Sequence, residues 1–86
     1  MIQRIAEPVS VSVTFNHRSH ETKPVSIHWA GRVYPVERIG LRHSYRDGIS
    51  RHHVFSVVGG SLFFRLNLNA ENLSWTLEEV SDGLPD

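Results

Sequence analysis

The chain has no cysteine, which excludes disulfides, thiolate metal sites and cysteine nucleophiles together and fits a reducing compartment. No apolar run approaches the ~20 residues that a helical membrane span requires. Met1 to Pro8 carries no apolar segment of the kind a secretory signal needs, so the expected setting is soluble and cytoplasmic, away from membranes. No stretch repeats apolar residues at helical spacing, and there is neither an internal repeat nor a low-complexity tract. Bases are missing beyond Arg65. Leu66 to Asp86 holds five acids and no Lys or Arg, net −5, whereas residues 1–65 hold nine bases against four acids, net +5. Such asymmetry fits a basic binding surface with an acidic tail, or two distant segments that neutralise each other across a sheet.

What the chain does have is alternation. From Phe55 to Leu77, three consecutive stretches place apolar residues at every second position, the period of a strand with one buried face. Gly59-Gly60 reads as a two-residue hairpin loop, which sets Val57 opposite Leu62, Phe55 opposite Phe64 and His53 opposite Leu66. A second turn over Asn69-Ala70-Glu71-Asn72 sets Leu68 opposite Leu73, Leu66 opposite Trp75 and Phe64 opposite Leu77. Both turns predict the same continuous apolar face.

Upstream, Val9, Val11, Val13 and Phe15 alternate with Ser10, Ser12 and Thr14, which predicts another half-buried strand. Val25, Ile27 and Trp29 follow after a polar loop. Ala30-Gly31 supplies a tight turn that sets Trp29 against Arg32, a cation-π pair, and Ile27 against Tyr34. The third strand starts with Tyr34 and Val36 inward and continues with Ile39 and Leu41, so its parity changes near Glu37 and Arg38. That change, beside Pro35, predicts a bulge or corner. His43 to Ser50 reads as a longer loop around Asp47-Gly48. The expected fold is all-β, a six-stranded antiparallel meander forming a curled sheet or a small, partly open barrel. Residues 1–8 read as an irregular N-terminal segment, 9–80 as a single β domain and 81–86 as a flexible C-terminal tail. Eighty-six residues bury a modest core, with a stability of a few kcal/mol unless a partner adds to it.

Six histidines raise the question of a metal. His17 and His20 lie three apart in a polar loop, adjacent His52 and His53 should point to opposite faces of a strand, and His28 and His43 stand alone. None of these spacings is a zinc motif, so neither a metal nor another cofactor is expected. His53 falls on the apolar face and reads as a hydrogen-bonded histidine at the rim of the core. Ser50, Ser56 and Ser61 lack a nucleophile elbow, and no helix follows Gly59-Gly60 to cradle a phosphate. No catalytic residue emerges.

Two surfaces remain. Arg38, Arg42, Arg46 and Arg51 surround Tyr45, a combination of cations and a stacking ring that suits single-stranded nucleic acid. On the predicted outer face, Val33, Val54, Val58, Phe63 and Val80 form an apolar set that suits a homodimer or another protein partner.

Pro24 to Val36 with Trp29, Gly31-Arg32 and Tyr34, then Phe55-Ser56-Val57, Phe64-Arg65-Leu66, Trp75-Thr76-Leu77 and Asp82-Gly83, resembles a family of small uncharacterised bacterial all-β domains. Members carry a tryptophan-x-glycine-arginine-x-tyrosine hairpin and a closing tryptophan strand, and some are similar to segments appended to Y-family DNA polymerase-like proteins. The resemblance implies a fold and at most an accessory role near DNA in repair or damage tolerance, with no catalytic residue to carry over. The functional expectation is a non-enzymatic domain acting by binding, as a homo-oligomer or protein-interaction adaptor. The alternative is an accessory nucleic-acid-binding domain.

Overall fold

Alternating apolar residues become strands because a pleated backbone sends successive side chains to opposite faces. The computed structural model describes residues 1–84, and among them seven strands form: β1 (Ile2–Asn16), β2 (Glu21–Trp29), β3 (Arg32–Pro35), β4 (Arg38–Asp47), β5 (Ser50–Gly59), β6 (Leu62–Asn69) and β7 (Ser74–Ser81). They make one antiparallel sheet in the order β3-β2-β1-β7-β6-β5-β4, curled into a half-barrel. Ile27, Phe55, Val57, Phe64, Leu66, Leu68, Leu77 and Val80 fill the inside of the curl.

The sequence pattern predicts six strands, and the seventh arises at the expected corner. Residues 36–37 carry the chain from one edge of the sheet to the other, splitting the third predicted strand into β3 and β4. The Val36 amide donates to the Val25 carbonyl and the Glu37 amide to the Val58 carbonyl, so this link ties β2 to β5 where no ladder joins them. Past the corner, a bulge at Gly40 sits between the Ile39–Val57 and Leu41–Ser56 pairs. Ile39 therefore turns into the core, while Leu41, expected inward, faces solvent.

The predicted face is right at β5, β6 and β7, but the registers are displaced. Gly59 pairs with Leu62 and Phe55 with Leu66, which moves the loop to Gly60-Ser61, and Leu68 pairs with Trp75 rather than Leu73. Both displacements are by two residues, and an even slip leaves every side chain on its own face. An odd break occurs further along. Leu66 pairs with Leu77 but Arg65 with Glu79, so Glu78 is an extra residue and Val80 turns into the core.

Three more expectations are corrected. Residues 1–8 are not irregular, because β1 begins at Ile2. It pairs with β7 from Ile2 to Val9 and with β2 from Ser10 to Asn16, changing partner between Val9 and Ser10. Between 43 and 50 there is no long loop; β4 runs to Asp47, which pairs with Ser50 across a two-residue turn. Trp29 pairs with Arg32 on the ladder as expected, but its indole N–H donates to Glu7 at 3.1 Å and its ring tilts against Tyr34. The one cation-π contact among the described residues is Arg42 over Phe55.

Of the expected flexible tail, Pro85 and Asp86 lie outside the described residues. Ser81 closes β7, and Asp82 accepts from the Met1 ammonium and the Leu84 amide. These two donors, the ammonium first, hold the Asp82 carboxyl below its ordinary range. A depressed carboxylate contributes its tie above the unfolded value of about 3.9 and loses it as pH falls through the lower folded value. Proton NMR across pH 5 to about 2 should therefore show the Leu84 amide losing its bonded shift while the core signals persist. Asp82→Asn should remove the transition.

Candidate functional site

The convex face carries the apolar surface that the alternation anticipates, with changed membership. Leu41 on β4, Val58 on β5 and Phe63 on β6 line one shallow hollow, with Ile2 at its border. Leu41 is 72% exposed and Phe63 46%. They meet because the Gly40 bulge turns Leu41 outward and the β5–β6 ladder pairs Val58 directly with Phe63. Gly83 rests on the Phe63 ring, so close that a Cβ there would fall 2.9 Å from its Cε2. Arg38, Arg65 and Glu79 border the same hollow.

Three of the five predicted interface residues lie elsewhere. Val80 is in the core for the reason given above. Val33 is exposed but sits on β3, the opposite edge strand. Val54 is on the convex side yet only 2% exposed, between His43 and Asn67 on the ladders. Missing from the predicted set is Leu41, whose orientation depends on a bulge that alternation alone does not announce.

Tyr45, the predicted stacking ring, is committed to its own neighbours. It stacks on His52 at 4.9 Å between centroids with planes 6° apart. Its hydroxyl accepts from the Asn67 side-chain amide at 3.0 Å, and Asn67 Oδ1 lies 2.9 Å from His52 Nδ1. Asn67 also donates to Glu78 at 3.3 Å. This buried amide is fully engaged, as a buried polar group must be to avoid a penalty of about 1–3 kcal/mol.

The four predicted arginines divide between faces. Arg38 pairs with Val58 on the convex side, whereas Arg42 pairs with Phe55, and Arg46 with Arg51, on the concave side. His52 and His53 point to opposite faces, as adjacent strand residues do; His53 lies inward opposite Leu68. Ser12 Oγ lies 3.5 Å from the ring of His28, and His20 stacks on Phe15. Among the described residues no three His, Asp or Glu side chains converge on a point where a metal could sit. The charge asymmetry resolves locally where Arg65 reaches Glu78 at 3.4 Å and Glu79 at 3.8 Å, contacts worth about 0–1 kcal/mol each at the surface. In comparisons with family models, curated proteins and solved structures, nothing matches this chain.

Proposed function

We propose that the protein is a non-enzymatic binding domain that acts as a homodimer through its convex face. The observation that carries this reading is the hollow of Leu41, Val58 and Phe63, bordered by side chains of both signs. A two-fold interface brings one patch against its own copy. Such a patch is self-complementary when it holds a base and an acid beside an apolar centre. Arg38 has no carboxylate within ion-pair distance among the described residues, and in a two-fold pair it can reach Glu79 of a second copy. A formal charge of zero also removes the net repulsion that opposes self-association.

Nucleic-acid binding has less support, because Arg38 and Tyr45 face away from Arg42, Arg46 and Arg51 and Tyr45 is already stacked. Light scattering should give a mass near twice 9.8 kDa, unchanged between 50 and 500 mM salt, since an apolar contact is little screened. Phe63→Glu should return the single-chain mass while keeping the circular dichroism of the sheet. A wild-type mass of one chain up to millimolar concentration would refute the reading.

A further inference from the structure

The concave side holds a second surface. Beyond the 36–37 corner, β2 and β4 are the free flanks of the curl, and the gap between them leads to a cleft of about 530 Å³ lined by Thr22, Arg42, Ser44, His53, Phe55 and Leu68. That is the size of a small-molecule site. Its floor is apolar: Phe55 and Leu68 are buried, and the Trp75 ring lies 5.6 Å from that of Phe55.

Its wall holds one cation, Arg42, and one acid, Glu21, whose carboxylate is already paired with Lys23 at 3.6 Å. Arg42 lies over Phe55, with its guanidinium carbon 5.6 Å from the ring centroid. Further along the same face, Arg46 and Arg51 stand directly opposite each other, an arrangement of like charges that destabilises a ladder. Among the described residues none of the three has a carboxylate within ion-pair distance. Arg42 on the apolar floor, with Arg46 and Arg51 further along the same face and no carboxylate of the described residues paired to any of them, leaves uncompensated positive charge beside the cleft.

Its rim is unusual too. His20 and Leu73, from the turns on either side of the opening, line the same cleft. Both have left-handed backbones, φ +58 and +60. Leucine in that region is strained, and strain of this kind concentrates where side chains are held for binding. Leu73 is nonetheless 71% exposed, an apolar side chain at a rim with nothing yet covering it.

We infer that this cleft binds a small amphipathic anion, with a carboxylate, sulfonate or phosphate head and an aliphatic or aromatic body. The body lies on Phe55 and Leu68 under Leu73, and the head meets Arg42, with Arg46 and Arg51 adding to the positive field. An anion suits the site because a charge-assisted hydrogen bond to a guanidinium is about twice as strong as a neutral one. The site is on the opposite face of the sheet from the dimer patch, so each can fail without the other.

The test is titration of the full chain with octanoate, followed by ¹⁵N–¹H spectra. Saturable shifts are expected at the Phe55, Leu68 and Leu73 amides and the Trp75 indole. Acetate, which lacks the body, and octanol, which lacks the head, should each bind at least tenfold more weakly. Arg42→Gln, which keeps a polar side chain of similar reach, should weaken octanoate at least tenfold. Arg46→Gln, nearer the hairpin tip, should weaken it severalfold and serves if the first variant does not fold. Equal binding of octanol and octanoate, or an unchanged affinity in the folded arginine variant, would overturn the inference. So would shifts confined to Leu41 and Phe63, or an oligothymidylate that binds the same amides more tightly than octanoate.

Discussion

Truncating Phe64 to alanine should cost about 3–5 kcal/mol, the range for removing a buried aromatic ring. Phe64 is 1% exposed, lies between Val57 and Val80 on its two ladders, and meets the Tyr34 ring at 5.2 Å across the inside of the curl. That last contact joins β3, at one edge of the sheet, to β6 near the other. The lost ring therefore leaves a void and unties the closure as well. A chain of this length has about 4–13 kcal/mol of total stability, so the variant should melt roughly 12–40 °C lower or be unfolded at 37 °C. The matched control is its neighbour. Phe63→Ala, on the convex side, should change stability by no more than about 1 kcal/mol when both variants are melted at a concentration dilute enough to hold single chains. Comparable losses in thermal melts of the two variants would contradict the facing of β6.

The second large effect is expected at Gly59. An added Cβ would fall 2.7 Å from the Pro35 carbonyl oxygen and 3.4 Å from the Phe64 ring. The obstacle at Pro35 is backbone, which cannot swing aside as a side-chain tip can. Gly59 does not have positive φ, so the expected penalty of Gly59→Ala is steric, about 2–3 kcal/mol. Gly60→Ala is the informative comparison. Its φ is +62 with nothing within 4 Å of the added carbon, so its cost of about 1–2 kcal/mol is conformational alone. The two differ in location as well as size. Only Gly59→Ala should open the corner, seen as faster hydrogen exchange at the Glu37 amide, which bonds Val58. Equal exchange in both variants would show that the contact with Pro35 does not hold the corner shut.

Much of the fold was legible because hydrophobic burial acts on side-chain parity. Phe55, Leu66 and Leu77 face inward in any register that differs by an even number of residues, so alternation found the face and left the loops at Gly60-Ser61 and 70–73 open to error. Bulges defeat parity. Those at Gly40 and Glu78 exchanged the roles of Leu41 and Val80, and with them the membership of the convex patch. The strand at Ile2 to Pro8 escaped notice for another reason. It has little alternation because the β1–β7 register shifts between Arg4 and Glu7, where Ala6 has a φ of +54, and because β1 is held there by backbone pairing to β7, whose signal lies far away in the chain. Of the convex site, Val58 and Phe63 were legible from position alone. The concave grouping of Arg42, Arg46 and Arg51 was visible as a run of arginines, but which three share a face depends on the Gly40 bulge, and the partnering cleft depends on the curl.

The change of partner along β1 bears on how the chain comes to fold. β4, β5, β6 and β7 are successive hairpins and can zip together from local turns. β1 must find β7 across almost the whole length of the polypeptide, and until it does the β1–β2–β3 unit is joined to the other strands only by the 36–37 link and by side-chain packing such as Tyr34 on Phe64. Pairings so remote in sequence raise the contact order and slow the search to milliseconds or longer. On a ribosome, β1 emerges before β7 and is satisfied last. The half of β1 that joins β7 is completed only when β7 has been made.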